Sequence, residues 1–237
     1  MLALITSPCV RSVLAACVDT GNNPEYLTMR QLPPGTYYVL LENYRSAERD
    51  QTHDVTFELV DPLPAPANDN CAGAQALVFN GDVAAATGTT VGAFNDSAGW
   101  PMACSVASAL NPEVYYKMTL AQAQDVEVNV EAASGSRLLP VIALSSQCGP
   151  ASAMEQRGCN GRSFTSHNVP AGTYYIVVDA DNEPKEEVSG GFTLTVKLKP
   201  PIQLAPNDTC AAPATLVPNV SQLVDVNKAN KDYTLSC

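Results

Sequence analysis

The sequence predicts an all-β protein made of antiparallel, jelly-roll-like β-sandwich repeats stabilised by disulfides. Three observations lead there. Apolar and polar residues alternate along much of the chain, a long segment recurs within it, and its eight cysteines fall into pairs along that recurrence.

The alternation is clearest in the middle and towards the end. Val114, Tyr116, Met118 and Leu120 alternate with Tyr115, Lys117 and Thr119, and Val126, Val128 and Val130 alternate with Glu127 and Asn129. Tyr174, Ile176 and Val178 follow a Pro-Ala-Gly turn that presents Gly172, and Phe192, Leu194, Val196 and Leu198 alternate with Thr193, Thr195 and Lys197. Successive side chains of a strand point to opposite faces, so this period means one buried and one wet face. Gly, Asn, Asp and Pro separate the runs, as in an antiparallel sandwich. Helix is confined to single turns, one at Ala72–Leu77 and one at Ser152–Gln156.

The recurrence divides the chain. Leu32-Pro-Pro-Gly-Thr-Tyr-Tyr-Val-Leu-Leu41 returns as Val169-Pro-Ala-Gly-Thr-Tyr-Tyr-Ile-Val-Val178, at an offset of 137 residues. The same offset sets Val55–Leu59 on Phe192–Val196. At an offset of 139, Leu4–Cys9 matches Ala143–Cys148, and Asn68-Asp-Asn-Cys-Ala72 returns as Asn207-Asp-Thr-Cys-Ala211. The expected organisation is therefore the C-terminal half of a repeat (1–63), a complete repeat (68–199) and the N-terminal part of another (206–237). Proline-rich joints at 62–66 and 200–206 separate them, because proline stiffens a connector and cannot donate to a sheet ladder. The two incomplete parts are expected to complement one another in cis or in trans, although strands equivalent to 113–131 are missing from both.

The repeat also pairs the cysteines. Cys71 and Cys104 recur as Cys210 and Cys237, and Cys148 and Cys159 have their counterparts in Cys9 and Cys17. The economical connectivity is Cys9–Cys17, Cys71–Cys104, Cys148–Cys159 and Cys210–Cys237, each closing a local loop. No close Cys-x2-4-Cys pair suggests zinc. Disulfides place the chain in an oxidising compartment, secreted or at the cell surface.

Glu113-Val-Tyr-Tyr-Lys-Met-Thr-Leu120, the valine-rich strand after it, the Gly-Thr-Tyr-Tyr strand and Gly191-Phe-Thr-Leu-Thr-Val196 together resemble bacterial pre-peptidase C-terminal domains. The likeness is to the disulfide-bearing kind that opens with Asn-Asp-x-Cys and stands in tandem on large secreted proteins. It implies a jelly-roll-like sandwich without catalytic activity, serving as an adhesion, assembly or spacer module. The alternative it implies is a polymer-binding accessory module of a secreted peptidase or polysaccharide-degrading enzyme. Calcium is the cofactor some members take.

Composition excludes other classes. Thirteen basic against 24 acidic residues leave a net charge of −11, which disfavours nucleic acid and anionic membranes as partners. Apolar residues make up 46% of the chain, enough for a core. No apolar run approaches the ~18 residues of a membrane-spanning helix. The expected partners are protein or polysaccharide at the cell surface, or other copies of the chain.

Chemistry-bearing motifs are few. Asp19-Thr20-Gly21 matches the aspartic peptidase triplet but occurs once, and that chemistry needs two carboxylates sharing a proton. Leu14-Ala15-Ala16-Cys17 has the form of a lipoprotein cleavage box, yet no basic region precedes it and Pro8 and Arg11 interrupt the apolar run. A strand matching 141–159 explains it better, and any export signal is expected upstream of Met1. His53 and His167 fall at variable positions and read as solvated surface residues. Asp179, Asp181 and Glu183 gather oxygen ligands after a strand, the way calcium loops are built, but Pro184 breaks the EF-hand pattern. Asp69 and Asp208 recur before their cysteines, either as Asx turns or as a calcium or inter-repeat contact. Trp100, the single tryptophan, either caps the sandwich or offers a stacking surface to a sugar or protein ligand.

Overall fold

A computed structural model describes residues 2–6, 14–18, 26–42, 52–95, 111–148, 156–180, 188–224 and 226–230, with side chains in 14–18 described only at Cys17. The chain divides into two compact units, one formed by residues 1–64 with 183–187 and one built from 65–182 and 188–237. The described residues are all-β apart from two short 3-10 turns, Cys71–Gly73 and Val226–Lys228.

The larger unit is a sandwich of two sheets. Its strands are β4 (Gln75–Ala76), β5 (Val83–Thr89), β6 (Val114–Leu120), β7 (Gln124–Ala132), β8 (Pro140–Ser145), β9 (Gln156–Asn160), β10 (Ser163–Val169), β11 (Gly172–Ala180) and β12 (Gly191–Lys199). One sheet runs β10-β7-β12-β5 and the other β4-β6-β11-β8-β9. All pairings are antiparallel except the short contact of β4 with β6. The alternation read from the sequence sets the core. Val114, Tyr116, Met118, Tyr174, Ile176 and Val178 from one sheet meet Val126, Val128, Val130, Phe192, Leu194 and Val196 from the other, all buried. Burial of each such side chain contributes roughly 1.5–3 kcal/mol, which makes this face the main stabilising element of the unit.

The expectation of one wet face fails for the five-stranded sheet. All six residues of β8 are buried. Its outer face carries a second apolar cluster, in which Ala74, Tyr115, Val141, Ala143 and Val177 pack with Cys71 and Cys148. The segment before β4 forms the cover: Tyr115 N donates to Asn68 O at 2.8 Å, and Asn68 Nδ2 donates to Tyr115 O at 3.1 Å. The backbone of 68–76 is thereby laid along β6, and the expected one-turn helix at Ala72–Leu77 shrinks to the 3-10 turn followed by β4.

This cover overturns the expected local disulfides. Cys71 bonds Cys148, with Cα atoms 5.7 Å apart and a sequence separation of 77. The bond therefore joins the front of the repeat to its middle, in place of Cys71–Cys104 and Cys148–Cys159. Repetition shows which cysteines recur, whereas which ones meet depends on how the front segment lies on the sheet. Cys159 is also disulfide-bonded, to a partner outside the described residues. Cys17 and Cys210 are free and exposed, against the expected Cys9–Cys17 and Cys210–Cys237 bonds. Cys9, Cys104 and Cys237 lie outside the described residues.

The smaller unit holds one sheet of order β2-β1-β3, formed by β1 (Leu2–Thr6), β2 (Leu14–Val18) and β3 (Tyr37–Leu41). The lipoprotein-like stretch is thus a strand. Its register copies β9-β8-β11, with β1 one residue off the sequence match: Ala3, not Leu4, takes the place of Ala143, facing Cys17 and Leu40 as Ala143 faces Cys159 and Val177. Tyr37 Oη donates to Pro33 O at 2.6 Å, as Tyr174 Oη does to Pro170 O at 3.0 Å. Gln31 and Asn168, at matching positions, both take a φ of 48°. The stretch Val55–Leu59 departs from its counterpart β12. It joins no strand ladder, and its large apolar side chains are exposed. The physical reason is that β12 lies between β7 and β5, and residues 1–63 contain no equivalent of either.

Candidate functional site

A dense polar cluster lies where the sandwich of 68–199 meets the segment after it. It begins with an irregularity in β10. The pairing with β7 runs from Ser163 opposite Asn129 to Ser166 opposite Val126, then shifts so that Val169 faces Gln124. The extra residue puts Asn168 in the left-handed region that Asn tolerates better than most side chains. It also aims the edge of the loop at Asp125, a carboxylate only 3% exposed.

Asp125 is satisfied from three directions. Its Oδ1 accepts from Asn168 N at 2.8 Å and from Ile202 N at 3.2 Å, and its Oδ2 accepts from His167 Nδ1 at 2.7 Å. One carboxylate therefore holds the β10 loop, the histidine and the linker that leaves β12. Burial by itself would raise the Asp125 pKa. The hydrogen bonds from Asn168, His167 and Ile202, with the attraction of the imidazole, outweigh burial and hold it below its ordinary 3.8.

The following segment docks through Asn230. Its Oδ1 accepts from His167 N at 2.8 Å, and its Nδ2 donates to His167 O at 3.2 Å. Asn230 N in turn donates to Asp208 Oδ1 at 2.8 Å. Ala205 N bonds Lys228 O at 2.8 Å and closes the loop beneath. The same use of aspartate occurs at the front of the complete repeat, where Asp69 Oδ1 accepts from Phe94 N at 2.7 Å. The recurrent aspartates thus reach an amide 25 residues on at Asp69 and 22 residues on at Asp208, and the second fixes the residue that grips the preceding repeat.

The other residues singled out from the sequence do not gather here. Asp179 does not lie in a loop after the strand: it lies inside β11, fully buried, and accepts from Ala180 N at 2.6 Å. Across the sheet β6 is preceded by Glu113, also fully buried, which accepts from Tyr115 Oη at 3.0 Å. Asp181, Glu183, Trp100 and the Asp19-Thr20-Gly21 motif fall outside the described residues. Among the described residues no three His, Cys, Asp or Glu side chains are grouped to hold a metal ion. His167 reverses its expected role, being largely buried and bonded on both ring and backbone. A shallow groove crosses the outer face of β10, β7 and β12, lined by Glu127, Asn129, Glu131, Thr195 and Lys197. Glu127 is paired there with Lys199 and Lys197, which lower its pKa against a smaller effect of burial.

The joint was partly within reach of the sequence. The recurrence of Asp69 as Asp208 marks it, whereas Asp125 stands on the polar phase of the alternation with Glu127 and Asn129 and nothing in the pattern marks it as buried. Nothing local points to Asn230.

No family model matches the chain, and no curated protein does. Among solved structures, the chain is similar to the periplasmic g-type lysozyme inhibitor PliG of Aeromonas hydrophila, at 14% identity and a TM-score of 0.37, covering 53% of this chain and 96% of that one. It is similar to the pre-peptidase C-terminal domain of Bacillus anthracis collagenase, at 17% identity and a TM-score of 0.30, covering 58% of this chain and 100% of that one. The PliG of Salmonella Typhimurium follows, at 12% identity, a TM-score of 0.29 and coverages of 52% and 96%. These are distant likenesses, and no functional conclusion rests on them.

The joint has a consequence in acid. A carboxyl whose folded pKa is depressed contributes stability that is present above its unfolded value and lost as pH falls through the folded one. The joint should therefore hold unchanged from neutral pH down to about 4 and loosen below the ordinary value of 3.8. Thermal melts across that range check it, and Asp125→Asn should flatten the acid limb.

Proposed function

We propose that the chain is a non-catalytic module of an extracellular or periplasmic protein, built from β-sandwich repeats that are locked to one another for assembly or adhesion. The observation that carries this reading is the Asp125–His167–Asn230–Asp208 network, which ties residues 206–230 to the complete repeat. Asp125, a deeply buried acid in contact with a histidine, spends both oxygens on structural donors. That is the use expected of a positioning group rather than of a general base. The front-to-middle disulfide supports an oxidising compartment. A lock of this kind suits a protein whose function is to hold a fixed span or present a surface.

The test is limited proteolysis of Asn230→Ala beside the wild-type chain. The variant should be cut between 200 and 230 at least ~10-fold faster, with the sandwich intact by circular dichroism, because the segment loses its two contacts to His167. Equal cutting of the two proteins would contradict the lock. Catalytic turnover of any substrate that a single side-chain substitution abolishes would contradict the non-catalytic reading.

A further inference from the structure

The two sheets of the sandwich present different outer faces. That of the five-stranded sheet lies under 68–76 and the Cys71–Cys148 bond. That of the four-stranded sheet carries short polar side chains, and Ser163, Thr165, Thr193 and Lys197 on it are exposed. Strand pairing sets these side chains in rows. Ser163 faces Asn129, which faces Thr195, and Thr165 faces Glu127, which faces Lys197. Short Ser163, Thr165 and Thr195 beside the longer Glu127, Glu131 and Lys197 give the face its relief, a groove of about 410 Å³. Phe164 also lines it, with its side chain packed against the core.

The chemistry of the groove selects a ligand class. Glu127 is paired with Lys197 at 3.7 Å and with Lys199, so two ammonium groups stand with the carboxylates Glu127 and Glu131. A set balanced in this way favours neither an anionic nor a cationic ligand. Apart from Phe164 the lining has no large apolar side chain, which disfavours a lipid or an amphipathic helix. Asn129 Nδ2 donates to Glu131 Oε1 at 3.3 Å, so both are ordered before a ligand arrives and less freedom is lost on binding. The hydroxyls of Ser163, Thr165 and Thr195 make no hydrogen bond to another described residue. Each can donate and accept. A ligand that meets carboxylate, amide and hydroxyl groups together needs groups that also do both, and sugar hydroxyls are such groups.

We infer that this groove binds a neutral glycan, an extended β-1,4-linked sugar chain running across β10, β7 and β12. Neighbouring strands stand about 4.8 Å apart, close to the advance of such a chain per ring, so successive rings meet successive strands. Ring hydroxyls donate to the Glu131 carboxylate and the Asn129 carbonyl, and exchange hydrogen bonds with Ser163, Thr165 and Thr195. The glycan site goes beyond the lock at Asp125 and can fail with that lock intact.

The probes are cellohexaose and chitohexaose, neutral β-1,4-linked chains that differ at C2, with hexagalacturonate as the charged control. Each is titrated into the full chain labelled with nitrogen-15, and amide shifts are followed by NMR. At least one neutral probe should give saturable shifts confined to 127–131, 163–165 and 193–197. Asn129→Ala and Thr165→Ala should each weaken that binding at least ~3-fold, the scale of one neutral hydrogen bond. Thr165 is exposed, so its truncation leaves the fold in place even if Asn129→Ala disturbs it. Thr119→Ala, on the other sheet, should bind as the wild-type chain does. Absence of saturable shifts with both neutral probes overturns the inference. So does wild-type affinity in Thr165→Ala, or tighter binding of hexagalacturonate than of either neutral chain.

Discussion

Replacing Cys71 and Cys148 together by serine is expected to lower stability by about 4 kcal/mol. The bond spans a sequence separation of 77, and the entropy removed from the unfolded chain grows with the logarithm of loop length. A local Cys148–Cys159 bond would close a much shorter loop, and its loss would cost about 3 kcal/mol on the same basis. The larger effect has a structural counterpart. Without the bond, the segment 68–76 is held on the outer face of the sheet by β4 and the paired contacts of Asn68 with Tyr115. Urea denaturation of the double variant measures the loss. Peptide mapping under non-reducing conditions should recover Cys71 and Cys148 in one cross-linked fragment.

Asp125→Ala is expected to cost about 2–4 kcal/mol, the scale for leaving buried donors without their charged acceptor. The substitution strands Asn168 N, Ile202 N and the His167 ring at once. Asp125→Asn should be much milder, about 1 kcal/mol, because the amide oxygen can still accept from both backbone groups on the Oδ1 side. The order of the two variants therefore reports whether the site acts through hydrogen bonds to the backbone. If alanine and asparagine cost the same, the charge on Asp125 would be the important quantity and the backbone contacts incidental. The unfolding midpoint in urea, with the slope compared between variants, gives both numbers.

Much of the fold is legible in the sequence because a strand's period is local. Val126, Val128 and Val130 state their inward face without help from the rest of the chain, and so do Leu194 and Val196. The two-sided burial of β8 is not legible in the same way, because Val141 and Ala143 become buried only when 68–76 folds over them. The disulfide connectivity fails for the same reason: it depends on where a distant segment is laid. The joint shows a third case. The repeated Asp69 and Asp208 mark where a loop must close, but the bulge that turns His167 towards Asp125 arises from a register shift, and no residue type encodes that shift by itself. Val55–Leu59 is the opposite failure. Its pattern is that of a core strand, and it stays exposed because pattern specifies a face and only a neighbouring strand can complete it.

Residues 206–230 are held to the preceding repeat by a lock centred on the carboxylate of Asp125. Amide exchange at Ile202, Asn168 and Asn230 in the full chain reads that lock directly, since each of these amides donates to Asp125 or Asp208. Protection of all three, lost together in Asp125→Ala while the amides of β6 and β11 stay protected, is the result expected. Exchange of Ile202 and Asn230 at the rate of a free peptide in the wild-type chain would contradict it.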